Sequence, residues 1–445
     1  MSDITHLLQK IAVLLTFLLN FASAQALDLS QAWQLALTND PLYSAARANY
    51  RAMVEKMPQA RAALLPQVVG SGTLGYLESR ANTGYGQVYQ NSNAGWSLTL
   101  SQPLFNWSAW QSFEQSKLVV ASAEVQLQLA YQELMLRLTQ AYFDVLTAQD
   151  VLLALQAEQR AIGEQRTSAQ RRFDMGETNV TDSFEAQARF DLTAANVLGA
   201  ENTLQNAKDI LARILGQTVE SLATLPYTVA LPAPQPNVLQ QWTDQSVNAN
   251  LEMVRARLQT RIAEADVEIA KGGEYPTVSA FASTSSNTLG NMQVQPYYNG
   301  RTVNNVVGVT LSMPFYTGGM VSSQIAEKNA LQQKSVFDLD AVKRQTVQLS
   351  QQYFNGVTTG LARIKGLTAV EKSGRASLEA NRTGYRLGVR INLDVLNAQQ
   401  QLYGAQRELA TVRYQTVVMG LRLRANGGML TDADISGINQ LLKRN

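Results

Sequence analysis

The chain has 445 residues, a formal charge of +2, 16% charged residues and no cysteine. The charge balance gives no electrostatic basis for binding nucleic acid, and the lack of cysteine excludes a disulfide framework and an acylated N-terminal cysteine. The only histidine is His6, which leaves no Ser-His or Cys-His nucleophile pair and no usual zinc site beyond the N-terminus.

In chain order, Lys10, the apolar run Ile11 to Phe21 and the sequence Ala22-Ser23-Ala24 read as a secretory signal over residues 1–24. No later apolar run reaches the length of a membrane helix. Leu27 to Arg61 is predicted helical, capped by Asp28 or Ser30 and broken at Asp40-Pro41. After Pro66 an extended segment places Val68, Gly70, Gly72, Leu74 and Tyr76 on one face. The polar stretch Glu78 to Asn93 reads as a loop, and a second strand alternates Ala94, Trp96, Leu98 and Leu100 with small residues until Pro103 is expected to stop it. Asn106 to Arg172 holds no proline, enough for a helix of roughly 100 Å. Leu127, Tyr131, Leu134, Leu138, Ala141, Val145, Ala148, Leu152, Leu155, Gln159 and Ile162 form a 4-3 seam along it. A second line through Leu118, Val125, Leu129, Leu136, Phe143 and Leu146 implies a neighbour on each side. Gly176 ends this helix; Thr178, Thr181 or Asp182 is expected to cap the next, which runs to Leu215-Gly216.

The plan then repeats. Pro66 returns as Pro276 (shift 210), LTLSQPLF at Leu98 as VTLSMPFY at Val309 with Pro103 matching Pro314 (shift 211), Tyr142-Phe143 as Tyr353-Phe354, and Phe173-Asp-Met-Gly176 as Tyr385-Arg-Leu-Gly388 (shift 212). An internal repeat of this length is a fold-level signal. It divides the chain into a first repeat over 25–216, a proline-rich connector over 217–240, a second repeat over 241–425 and a loose tail over 426–445. In the second copy helices are predicted at about 250–271, 319–382 and 392–424, and strands near 277–284 and 303–313, the latter with Val307, Val309, Leu311 and Met313 on one face. The seam of the long helix is weaker there (Leu339, Val342, Leu349, Tyr353, Gly356, Gly360, Leu367), with glycines where backbones can approach closely.

Four strands of about ten residues, with an apolar row opposite small residues, resemble transmembrane β-strands. Aromatics gather at their ends: Tyr76, Tyr85, Tyr89 and Trp96 on the loop side, and Phe105, Trp107, Trp110, Phe315 and Tyr316 on the helix side. Four strands cannot close a barrel in lipid, so strands that span must be shared among several chains.

Gly70-Ser-Gly72-Thr-Leu-Gly75 matches G-x-G-x-x-G, but no helix is predicted after it, and no P-loop occurs. No cofactor is expected. The two inter-helix turns carry Thr181, Asp182 and Glu185 in the first copy and Tyr385, Arg390, Asp394 and Asn397 in the second. Helix capping and the helix dipole account for Gly176, Gly388 and Asn392 and are one reading of the acids; in a cyclic oligomer the same acids become rings that select cations.

At these residues the chain resembles the TolC family of outer-membrane efflux and secretion channels. The resemblance rests on the duplication, L-S-x-P before each long helix, Ala141-Tyr-Phe143 with Gln352-Tyr-Phe354, and Tyr385-x-x-Gly388-x-Arg390 followed by Asp394-Val-Leu. It implies a mixed α/β membrane protein. Long α-helices would form a coiled-coil tunnel, and four strands per chain would join a twelve-stranded barrel shared by a homotrimer. A mixed equatorial band would hold the connector and the C-terminal segment. The family links that shut the periplasmic entrance would join Tyr385 and Arg390 to Thr181 and Asp182 of a neighbouring helix pair. Asp394 falls at the first of two entrance aspartates, and Asn397 stands where the second is expected, with Glu185 a candidate to supply the missing charge. The resemblance further implies a periplasmic adaptor, an inner-membrane ABC, RND or MFS pump, outer-membrane lipid around the barrel, and cargo that is a secreted protein or a small toxic compound. The absent lipidation cysteine leans towards the secretion-type or general-purpose members. Two alternatives come from other classes: a periplasmic coiled-coil scaffold with soluble hairpins, and a carboxylate-dependent hydrolase.

Overall fold

The computed structural model describes residues 26–80, 88–290 and 300–443. The expected signal, Tyr85 and the tips of both hairpins lie outside them. The described chain is mostly helical with one four-stranded antiparallel sheet, ordered β1 (Gln67–Arg80), β2 (Val88–Phe105), β3 (Thr277–Gly290), β4 (Gly300–Ser312). It divides into two compact units, residues 1–47, 127–253 and 343–445, and residues 48–126 and 254–342.

The sheet dominates the second unit. Its register sets Val68 opposite Leu100 and Gly72 opposite Trp96, then Leu98 opposite Thr284, then Ala280 opposite Val309 and Val278 opposite Leu311. Side chains alternate across a strand, so these residues share one face, and on it Leu74 is 89% and Val307 84% exposed. The opposite face is rich in Ser and Thr, with Ser71 and Ser97 hydroxyls 2.7 Å apart across β1 and β2. There Phe281 lies against Gly308, its directly paired neighbour. Among the expected belt residues Tyr76, Trp96, Phe105, Trp110, Phe315 and Tyr316 are exposed.

The strands exceed their predicted length, because the polar segments read as loops continue the ladder through Tyr76–Ser92 to Arg80–Val88. Pro103 does not stop β2, which runs on to Phe105 with a register shift between them. The β1 partner has already ended at Ser101, so the missing proline N–H leaves no bond on that side unmade. Pro314 does follow its strand, as expected. The rest of this unit carries α2 (Pro41–Val54) in part, α3 (Lys56–Ala62), and the beginning of α4 (Trp107–Asp174). The helix break before α3 was not expected. Pro58 explains it, since its ring clashes with the carbonyl four residues back, at Val54, where α2 ends. Ser108 and Gln115 of α4 donate to the carbonyls of Ile269 (2.9 Å) and Ile262 (3.1 Å) on α7 (Leu251–Lys271). Gln115 also reaches Asp266 at 2.6 Å.

The first unit holds α1 (Leu29–Asn39), most of α4, α5 (Val180–Leu215), α6 (Leu239–Ala249), most of α8 (Met320–Arg386), α9 (Asn392–Asn426) and α10 (Asp432–Leu441). At 68 residues α4 is about 100 Å long. Along its predicted seam Leu134, Leu138, Ala141, Val145, Ala148, Leu155 and Ile162 are buried. The glycine seam of α8 works as expected: a Cβ on Gly360 would overlap Thr416 of α9. No described helix is long and apolar enough to cross a membrane.

Asp28 closes a capping box with Gln31 at the start of α1. Two other helices differ from expectation. The chain already turns helical at Leu239, and a break at Asn250 separates α6 from α7. The buried Asn250 side chain accepts from the backbone N–H of Glu252 (2.8 Å) and donates to the Asn426 carbonyl (2.9 Å). The C-terminal tail is not loose: Thr431 and Asp434 cap α10, and Lys443 exchanges backbone bonds with Thr224 at 3.0 and 2.8 Å.

The connector is pinned between these parts. Leu27 bonds Ser221 and Ala223 through the backbone, and the Tyr142 hydroxyl lies 2.9 Å from the carbonyls of both Leu27 and Ala223. Arg413, nearly fully buried, donates to the Pro226 carbonyl at 2.6 Å and sits over the Tyr227 ring. Beside it Tyr414 donates to Asp150 at 2.8 Å. Burial raises the Asp150 carboxyl above its ordinary range, although hydrogen bonds from Tyr414 and Tyr227 and the Arg413 charge oppose the shift. An acid whose folded pKa exceeds its unfolded value binds its proton more tightly when folded. Its contribution to stability therefore falls as pH rises through that interval. Asp150→Asn, which keeps an acceptor for Tyr414, is predicted to remove part of any loss of thermal midpoint as pH rises above the ordinary carboxylate range, giving a shallower slope than in the parent. An unchanged slope in melts followed by circular dichroism would contradict this.

Candidate functional site

The two inter-helix turns share one backbone. In the first, Gly176 has φ +75°; its N–H donates to Phe173 (2.8 Å), and the Glu177 N–H to Arg172 (2.8 Å). In the second, Gly388 has φ +75°, with N–H donation to Tyr385 (3.1 Å) and from Val389 to Gly384 (2.9 Å). These are left-handed helix ends that only glycine adopts at low cost. The following helices begin after Asn179 and Ile391, neither of which caps with its side chain.

The N-cap expectation thus fails on both sides, while the glycine helix ends stand where they were expected. The Thr178 hydroxyl meets the Asp182 carboxylate at 2.5 Å instead, and Thr181 is exposed. Asp182 and Asp394 lie in the first turns of α5 and α9, where the helix dipole favours negative charge. Asn392 is not a cap but the first residue of α9, and it is fully buried. Its amide donates to the Asp182 carbonyl at 3.0 Å and accepts from Gln165 at 2.6 Å. One side chain thereby ties the start of α9 to α4 and α5.

Arg172 supplies the second tie. It donates to the Tyr385 carbonyl at 3.3 Å, lies 4.8 Å over the Tyr385 ring and pairs with Glu177 at 3.2 Å. Tyr385 is buried, and its hydroxyl has no hydrogen-bond partner among the described residues. Arg390 is exposed and pairs with Asp394 at 3.7 Å, an arrangement worth well under about 1 kcal/mol at such exposure. Gly384 makes room for it, since a Cβ there would stand 2.7 Å from the Arg390 Cγ. Among the described residues no hydrogen bond or ion pair joins Tyr385 or Arg390 to Thr181 or Asp182. Glu185 is half-buried and forms no ion pair there. Asn397 is exposed and accepts from Arg189 at 3.3 Å. Around the turns Met175, Phe184, Leu387, Val389 and Ile391 are exposed apolar side chains.

The family model for outer membrane efflux proteins matches residues 32–217 and again 242–428. The matched stretches are offset by 210 residues at their starts and 211 at their ends, as the repeat requires. The chain belongs to the outer membrane efflux protein family. It is an outer-membrane export channel with a large periplasmic helical part. It is 32% identical to the proteases secretion protein PrtF of Dickeya chrysanthemi, over 96% of this chain and 94% of that protein. It is also 32% identical to the outer membrane protein TolC of Escherichia coli (strain K12), over 95% and 86%. The Campylobacter jejuni CmeC outer membrane channel has the same fold, with a TM-score of 0.79 at 15% identity over 93% of this chain and 89% of that one.

Asn392 gives the channel's turns a directly testable tie. Asn392→Ala is predicted to remove both bonds, the Asp182 carbonyl keeping its partner within α5, at a cost of about 1 kcal/mol for each bond lost. Limited proteolysis within residues 173–182 and 385–392 should accelerate, and Asn392→Asp, which keeps the Gln165 bond alone, should fall between. Equal cleavage rates in all three proteins would contradict the assignment.

Proposed function

We propose that three copies of this chain close one twelve-stranded barrel and act as a passive duct in an export system, shut at its periplasmic end by the two inter-helix turns. The observation that carries the proposal is the sheet: four strands with two unpaired outer edges and a strongly exposed apolar face. A scaffold with soluble hairpins would bury that face; lipid covers it at no cost. The repeats over 25–216 and 241–425 would each supply one hairpin and one helix pair. The connector and the C-terminal helix would form an equatorial belt.

The cargo reading follows the relatives' names. PrtF is named for secreting proteases, and an unfolded polypeptide is the cargo this reading assigns to the present channel. The duct needs a periplasmic adaptor and an inner-membrane pump to supply energy, since the chain carries no P-loop. The mature chain, free of His and Cys, has no catalytic role in this account. Thr181, Asp182, Glu185, Tyr385, Arg390, Asp394 and Asn397 would line or lock the entrance, with Gly176 and Gly388 shaping its turns. Opening would be a two-state movement of the second-repeat helices, biased by partner contacts. In planar bilayers Arg390→Ser and Asp182→Ala are predicted to raise single-channel conductance. Conductance unchanged in both would contradict the lock.

A further inference from the structure

Arg189 is a cation held by neutral groups. From α5 its Nη1 donates to the Gln400 side-chain oxygen at 2.7 Å and its Nη2 to the Asn397 side-chain oxygen at 3.3 Å. Among the described residues it forms no ion pair. Glu185, one turn earlier, does not pair with it, and Asp191 accepts from Gln187 instead, at 2.8 and 3.0 Å.

Its partners lie on the exposed face of α9. One flank of α9 packs Val395, Ala398 and Leu402 against Leu378 and Tyr385 of α8. The other packs Leu396 with Ile162, Ala169 and Ala186 of α4 and α5. With both flanks occupied, Asp394, Asn397 and Gln401 follow one another along the remaining stripe, exposed or half-exposed, with Arg390 in the turn just before it. Charge along this stripe changes by level. At the turn Arg390 and Asp394 offset each other. One turn further in, the acceptor is an amide, and the guanidinium above it keeps its charge.

We propose that Arg189 sets the charge selectivity of the entrance, placing an uncompensated positive level directly behind the acids of the turns. The proposal rests on the entrance reading above. Symmetry would make this level a ring of three guanidinium groups, and charge rings select the ions that pass them. Together with Asp182, Glu185 and Asp394 it would leave the entrance only weakly selective, so that polypeptide segments of either sign pass. An aspartate in place of Asn397 would instead pair with Arg189 and return the level to neutrality.

The test is the reversal potential of the trimer in planar bilayers under a KCl gradient. In Arg189→Gln the K⁺ to Cl⁻ permeability ratio is expected to rise by at least about twofold at roughly 10–100 mM salt, where exposed charges are screened least. Asn397→Asp should move it the same way. Arg189→Lys, which keeps the charge but loses the two-pronged geometry, should stay at the parent value. If Arg189→Gln keeps the parent ratio, the proposal is overturned. Asp394→Asn separates this from the underlying reading. A shift towards anions there, with none in Arg189→Gln, removes Arg189 alone. No shift in either variant removes the entrance reading with it.

Discussion

The outer edges of β1 and β4 govern this structure. Each carries a row of backbone N–H and C=O groups with no partner strand among the described residues. Hydrocarbon supplies no hydrogen bonds, and an unpaired group there costs several kcal/mol. The sheet nevertheless turns Leu74, Val307, Val309 and Leu311 outward, an arrangement suited to lipid. Both demands are met together only if the edge of one chain pairs with the edge of another. The strands alternate in direction, so β4 of one chain would meet β1 of the next antiparallel, and closure would need no change of pairing type.

The duplication supplies the helical part twice, but the copies are not interchangeable. Backbone geometry is conserved between them: Gly176 and Gly388 have the same φ and close the same pattern of bonds. Side chains diverge. The first turn keeps its acid against Thr178, while the second carries the Arg390–Asp394 pair and sends Asn392 inward to the first copy. Glycine geometry thus fixes where each helix ends, and polar residues of both copies, Arg172 of the first and Asn392 of the second, join the two turns.

Much of this was legible in the sequence because it is local or periodic. The seam of α4, the face-sharing residues of each hairpin, the turn glycines and the close approach at Gly360 all follow from spacing or from the lack of a side chain. Contacts between distant residues were not legible. Asn392, Arg172 and Arg189 find partners hundreds of positions away, and for Asn392 a cap was a sufficient local account. Strand ends were missed for a different reason. Residues 78–93 are rich in Asn, Ser, Gln and Tyr, a composition shared by loops and by strands outside the apolar band. The C-terminal helix was missed although Thr431 and Asp434 spell a capping pattern, because Gly427-Gly428 just before it reads as an end.

The most direct test is the molar mass of the detergent-solubilised protein by light scattering, with the detergent contribution subtracted. Closure of a barrel by shared strand edges predicts the mass of three chains in a single peak that persists on dilution. A stable, folded single chain with its β-sheet signal intact would contradict it, because two open edges would then be tolerated in an apolar phase.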